Sequence, residues 1–203
     1  MVARSTARIL ASVVLVWCSL VSCSSAPPKT DKLPAARGAV DRLKELQPTD
    51  LAVAAIRDQT NAQRVPLELF RSAFIETLVE RRYSPLAPSY VDANWVAASF
   101  KGTPAPDGVM VVAVTAWDPS HLYSTGKVEV SADVVLFEGA DTTGKVLWQQ
   151  TLEREVDLGD GHGNPPPAGQ DLIPKAVRLF AQLALSSLPM RDPVAAHAPK
   201  GVQ

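Results

Sequence analysis

Apolar positions follow two different periods along this chain. From Leu67 they recur at three and four: Phe70, Phe74 and Leu78, with Leu69, Ala73, Ile75 and Val79 beside them, predict an amphipathic helix over about 66–82. Arg71, Glu76, Glu80 and Arg81 then face water. Pro66 stands where a first helical turn tolerates a missing N–H, and Arg81-Arg82 puts positive charge at the negative end of the helix. After residue 127 the period is two. Val128, Val130, Ala132 and Val134 alternate with Glu129, Ser131 and Asp133, so one face of that strand is covered and the other wet. Val146, Trp148, Gln150, Leu152, Arg154 and Val156 repeat the alternation after a turn holding Gly139 and Gly144, which predicts a hairpin.

Two runs show neither period because they are apolar throughout. LAVAAI (51–56) and VMVVAVTAW (109–117) read as strands covered on both faces, the second central. Tyr83-Ser-Pro-Leu-Ala-Pro88 is a short second strand whose prolines place it at an edge. Ser89, three residues before Asp92, opens a short helix through about Ala98. Residues 101–108 form a loop and 118–126 a long turn. After the Gly/Pro stretch 159–169, Asp171 caps a helix carrying Ile173, Val177, Phe180, Ala184 and Leu188 on one face. The expected fold is α/β, a mixed sheet in two or three layers with the order β-α-β-α-β-β-β-α.

The ends are different in kind. Residues 190–203 are rich in proline and read as a tail, and 23–49 read as a tether, roughly 30 Å in reach as a flexible coil. Within it, AVDRLKEL (39–46) sets Val40, Leu43 and Leu46 on one side but is too short to be stable alone. The remaining stretch, 50–189, is the expected domain.

Residues 1–22 carry Arg4 and Arg8 before the apolar run Ile9–Trp17, the makeup of an export signal and far short of the ~20 residues that span a bilayer. Leu20-Val21-Ser22-Cys23 resembles the lipobox of bacterial lipoprotein signal peptides. That resemblance implies cleavage before Cys23, a lipidated thiol, and an acylated amino terminus bearing palmitate or a similar chain. Several acyl chains hold a protein on a membrane where one does so only marginally. Ser24, rather than aspartate, implies sorting to the outer membrane on its periplasmic side.

Removing 1–22 takes away two of the 20 basic residues and none of the 21 acidic ones, so the remaining chain is net acidic. With no Lys/Arg-rich run, a nucleic-acid partner is not expected. Of the two cysteines, the lipobox resemblance implies that Cys18 leaves with the signal and Cys23 becomes a thioether. On that expectation a disulfide, a CxxC redox pair, a cysteine-ligated zinc and a cysteine nucleophile are excluded together. The histidines are His121, His162 and His197. Asp160-Gly-His162 and Asp118 with His121 are the stretches closest to a site, but neither brings a third metal ligand, and Ser120, Tyr123 and Ser124 read as turn residues. No cofactor motif and no nucleophile motif is present. Trp117 and Trp148 read as sheet packing before they read as a sugar platform.

The element order, together with Asp107–Trp117 and the turn and strand Asp141-x-x-Gly144-x-x-Leu147-Trp148, resembles a group of uncharacterised outer-membrane lipoproteins of Gram-negative bacteria. Their domain is related to the curli-secretion lipoprotein CsgG, to LpoB-type activators of peptidoglycan synthases and to the amino-terminal domain of TolB. The resemblance covers roughly 50–188 and implies an α/β sandwich that acts through contacts. Only one hairpin, 127–158, is present where a pore-forming relative needs a pair, so a secretion pore does not follow.

The expected function is a noncatalytic envelope lipoprotein that docks an envelope protein or a second copy of itself. The alternatives are a small-ligand binder using the 118–126 and 159–169 loops, and an auxiliary lipoprotein of an envelope transport system. Strand 146–156 is the expected docking edge, with Gln150 the position to block by proline.

Overall fold

The computed structural model describes residues 37–62, 64–159 and 170–192. The lipobox with Cys23, the tether as far as residue 36, Asp160, His162 and His197 lie outside the described residues.

The all-apolar run after Gly108 forms the middle of a mixed sheet. There β6 (Gly108–Asp118) lies between β1 (Asp50–Val53), which runs parallel to it, and β7 (Lys127–Glu138), which runs antiparallel. The order across the sheet is β3-β1-β6-β7-β8, with β3 (Ser84–Pro85) at one edge and β8 (Val146–Asp157) at the other. The prolines of 83–88 thus sit at an edge, as proline's missing donor requires, and β7–β8 is the expected hairpin.

Both faces of β6 are covered, but by different elements. On one face Leu51, Val53, Met110, Val112, Val114, Val130, Val134 and Leu136 meet α2 (Leu67–Glu80) and α5 (Leu172–Ala184), whose Phe70, Phe74 and Phe180 are fully buried. Phe70 stands edge-on to Trp117 at 5.5 Å and to Phe180 at 6.1 Å between ring centres. Asp171 caps α5 as its position suggests, its carboxylate accepting the Ile173 N–H at 3.3 Å. On the reverse face Ala52, Ala54, Val109 and Val111 meet Val91 of α3 (Pro88–Asn94) and Phe100. This second cover reaches β7 only at its end, at Phe137, which explains the alternation of buried and wet positions along the rest of β7.

Four local readings need correction. The run 51–56 is strand only as far as Val53; residues 54–56 bulge out, and the strand resumes beyond the run as β2 (Arg57–Asp58) along β6: Val53 faces Met110 and Arg57 faces Ala113, so this side carries one residue more than its partner. Ser89 caps nothing, since α3 starts at Pro88 behind Ala87 with no side-chain cap. That helix stops at Asn94 and does not reach Ala98. The chain turns instead into a small hairpin, β4 (Trp95–Val96) and β5 (Ser99–Phe100), through Ala97 and Ala98 at φ 53° and 84°. Two alanines in the left-handed region give no turn signal, which is why the hairpin is invisible to periodicity.

The fourth correction is Arg71. Helical spacing turned it toward water, yet it is 3% exposed. The bulge after Val53 leaves that carbonyl for a side chain, and Arg71 donates to it from Nη2 at 2.9 Å and Nε at 3.3 Å.

The short helix of the expected tether, α1 (Arg37–Leu46), lies against β8 with Leu43 buried, and Arg42 makes a two-pronged pair with Glu138 at 2.8 and 2.9 Å. Tertiary packing supplies what its length cannot. Within the 118–126 turn, α4 (Leu122–Thr125) is a single helical turn closed by Gly126 at φ 81°.

Candidate functional site

Asp118, Ser120, His121, Tyr123 and Ser124 lie together in one turn, whereas Asp160, His162 and His197 lie outside the described residues. His121 is exposed at the start of α4, and the hydroxyls of Ser124 and Thr125 donate to its backbone carbonyl at 3.2 and 3.0 Å, not to its ring. Asp118 accepts the Ser120 N–H at 2.9 Å, and hydrogen bonds from Ser120 hold its carboxyl below the usual range. This is a capped turn with no nucleophile aimed at a base. Among the described residues no group of three or more His, Cys, Asp or Glu side chains is placed to hold a metal ion, and no helix is long and apolar enough to cross a membrane.

Trp117 and Trp148 sit opposite Val130 and Leu136 on β7, toward different ends of the sheet. Both are buried in the helix-covered core and offer no platform to a sugar.

The turn that carries the family resemblance has a structural task. Asp141 accepts from the Thr143 N–H at 2.8 Å and hydroxyl at 2.7 Å, and a Cβ on Gly144 would come within 2.3 Å of the Glu138 carbonyl. Leu147 and Trp148 then enter the core. The same turn clamps the small hairpin: the Ala98 carbonyl accepts from the Thr142 N–H at 3.0 Å, and the Phe100 N–H donates to Ala140 at 2.7 Å.

Arg71 ties three elements at one point. Besides Val53, its guanidinium grips Asp92 of α3 in a two-pronged pair at 2.8 and 2.7 Å, which holds the Asp92 carboxyl below its ordinary range. Spacing could not reveal this, because its cause is a strand irregularity eighteen positions earlier.

A groove of about 200 Å³ runs between α1 and the chain after α5, floored by Leu43, Pro48, Tyr83 and Met190. It is smaller than the usual ligand cleft of ~300–1,000 Å³. Tyr83 closes its floor, with its hydroxyl donating to the Pro189 carbonyl at 2.9 Å and its phenol pushed up to about 12 by burial.

Among the described residues β8 is twelve residues long and pairs as a strand with β7 alone, with α1 lying against it. The Leu158 N–H bonds to the Gly126 carbonyl, which fixes the ladder: even-numbered residues from Trp148 to Val156 exchange hydrogen bonds with β7, whereas Gln149, Thr151, Glu153 and Glu155 turn their backbone groups outward. Gln150 therefore bonds inward, opposite Val134, and its side chain accepts from the Ser187 hydroxyl at 3.1 Å. The expected blocking position is a ladder residue, and the open ones lie beside it. Along the wet face Asp118, Glu129 and Glu155 form a row across β6, β7 and β8, and Lys127 meets Glu155 at 2.6 Å.

No family model matches the chain, and no curated protein matches it. Among solved structures it is similar to the PelC dodecamer from Paraburkholderia phytofirmans, at 19% identity over 68% of this chain and 86% of that one with a TM-score of 0.41. It is similar also to lipoprotein GNA1162 from Neisseria meningitidis, at 16% identity over 68% and 99% with a TM-score of 0.42. A minor lipoprotein from Acinetobacter baumannii superposes at 12% identity over 71% and 97%, with a TM-score of 0.30. Superpositions this partial carry no functional assignment.

Proposed function

We propose that this chain is a noncatalytic lipoprotein of the bacterial cell envelope, held on the periplasmic side of the outer membrane by acyl groups on Cys23, whose domain works by binding protein along β8. The observation that carries the reading is the open edge: a long strand at the end of a sheet presents a row of backbone donors and acceptors that proteins otherwise cover or blunt. Opposite it, β3 is only two residues long and contains a proline, so the two edges are treated unequally. The lipobox Leu20–Cys23 supports the anchor, and kinship with the domain of CsgG, LpoB and TolB is part of the same proposal.

Three substitutions in the full chain test it in cells. Cys23→Ala is expected to abolish acyl labelling and release the protein from membranes; unchanged mass and retention would contradict the anchor. Glu153→Pro removes an outward N–H and is expected to abolish crosslinking to the binding partner with little change in melting. Gln150→Pro breaks a ladder bond and is expected to lower stability as well. Unaltered crosslinking by a folded Glu153→Pro protein overturns the role of β8.

A further inference from the structure

We infer that the groove between α1 and the chain after α5 binds one residue of an extended, uncharged peptide segment with an aliphatic side chain. No residue of β8 lines it, so it is a second site, independent of that edge.

Buried polar atoms in folded proteins find partners, and one left without needs a reason. Among the described residues three buried side-chain atoms have no hydrogen-bond partner: Gln47 Oε1, Arg191 Nε and Tyr90 Oη. Two of the three, an acceptor and a donor, belong to residues that line this one groove. The backbone fixes both residues there. The Gln47 N–H closes the end of α1 on the Leu43 carbonyl at 3.0 Å, with φ at 43°, a left-handed conformation that glycine takes freely and a residue before proline resists. The Arg191 N–H donates to the Arg81 carbonyl at 3.1 Å. A strained backbone position that carries an unmet amide oxygen is disfavoured by folding alone and is what a contact site retains.

The chemistry of the lining selects the occupant. It must offer an N–H to Gln47 and an oxygen to Arg191, and lay an apolar group over Leu43, Pro48, Tyr83 and Met190. A peptide unit brings that donor and acceptor on separate atoms, and the side chain beside it supplies the apolar group. A carboxylate has no donor and would set its charge against Gln47 Oε1, and an ammonium has no acceptor for Arg191. A sugar carries more hydroxyls than two polar atoms can satisfy over such a floor. The volume of about 200 Å³ suits a residue and falls short of a drug-sized ligand. Met190 is exposed and unbranched, so it can adapt to the side chain it meets.

The probe is N-acetyl-leucine N-methylamide, added to the full chain in detergent and followed by the NMR signals of the Arg191 Nε–H and the Met190 methyl. Both signals are expected to shift and saturate. Gln47→Met and Arg191→Met should each weaken the binding at least tenfold, the second read at the Met190 methyl. The free Gln47→Met protein should melt no lower than wild type, because an apolar chain of similar shape replaces an oxygen that had no partner. Two comparison probes, 4-methylpentanoate and methyl glucoside, should bind at least tenfold more weakly than the capped leucine.

A capped leucine that shifts neither signal overturns the inference, and so does either comparison probe binding as tightly. A Gln47→Met protein that melts lower than wild type also overturns it, since Oε1 would then be met within the fold or by bound water.

Discussion

Phe180→Ala is expected to lower folding stability by about 3–5 kcal/mol. The ring is fully buried and stands edge-on to Phe70, which in turn meets Trp117, so one aromatic row links α5, α2 and the central strand. Its loss removes buried area and leaves a cavity that two helices and a sheet cannot collapse together to fill. Phe74→Ala should fall in the same range, since that ring is equally buried on the same helix as Phe70. Denaturant unfolding followed by tryptophan fluorescence measures both. A change below about 1 kcal/mol would mean that these helices do not cover the sheet in solution.

Arg71→Met is the second large effect expected, and it separates a structural charge from a surface one. Methionine keeps most of the volume but strands the Val53 carbonyl without a donor, a cost of roughly 1–3 kcal/mol. It also releases α3, which Arg71 holds through Asp92. Asp92→Asn should cost less, because the Asp92 side chain is 52% exposed and water can replace its partner. An Arg71→Met change as small as that of a surface pair such as Arg178–Glu80 would contradict the bulge-capping role.

The strongest periodic signals carried over into the structure, and the reason is burial. Phe70, Phe74 and Leu78 recur on one face because one face meets the sheet, and Val128 to Val134 alternate because only one side of β7 is covered. Wherever a residue answers to something distant, spacing was blind. Arg71 looks like an exposed helix position until the bulge at 54–56 is known, and nothing in LAVAAI marks that bulge. Ala97 and Ala98 sit at positive φ because the Asp141 turn holds the Ala98 carbonyl, not because alanine prefers it. α1 is too short to hold by itself, and the Arg42–Glu138 pair and buried Leu43 help to give it a place.

For the candidate edge the legible part was the strand and the hidden part was its phase. Alternation along 146–156 tells which side chains are wet, but not which backbone amides point away from β7, since that depends on the ladder set at Gly126 and Leu158. Gln150 is polar and half-buried, and looks open in the sequence, yet it bonds inward and to Ser187. The same holds for the Asp141-x-x-Gly144-x-x-Leu147-Trp148 turn, whose residue types stand out while their task, clamping a hairpin forty positions earlier, needs the fold.

Amide hydrogen exchange along β8, taken with the protein alone and with the partner that crosslinking identifies, tests the working edge most directly. In dilute protein alone the even-numbered amides from Trp148 to Val156 should be protected, while those of Gln149, Thr151, Glu153 and Glu155 exchange freely. With the partner bound the second set should become protected as well. Odd-numbered amides already protected in the dilute protein alone, or still unprotected once the partner is bound, would contradict an open β8 edge that association fills.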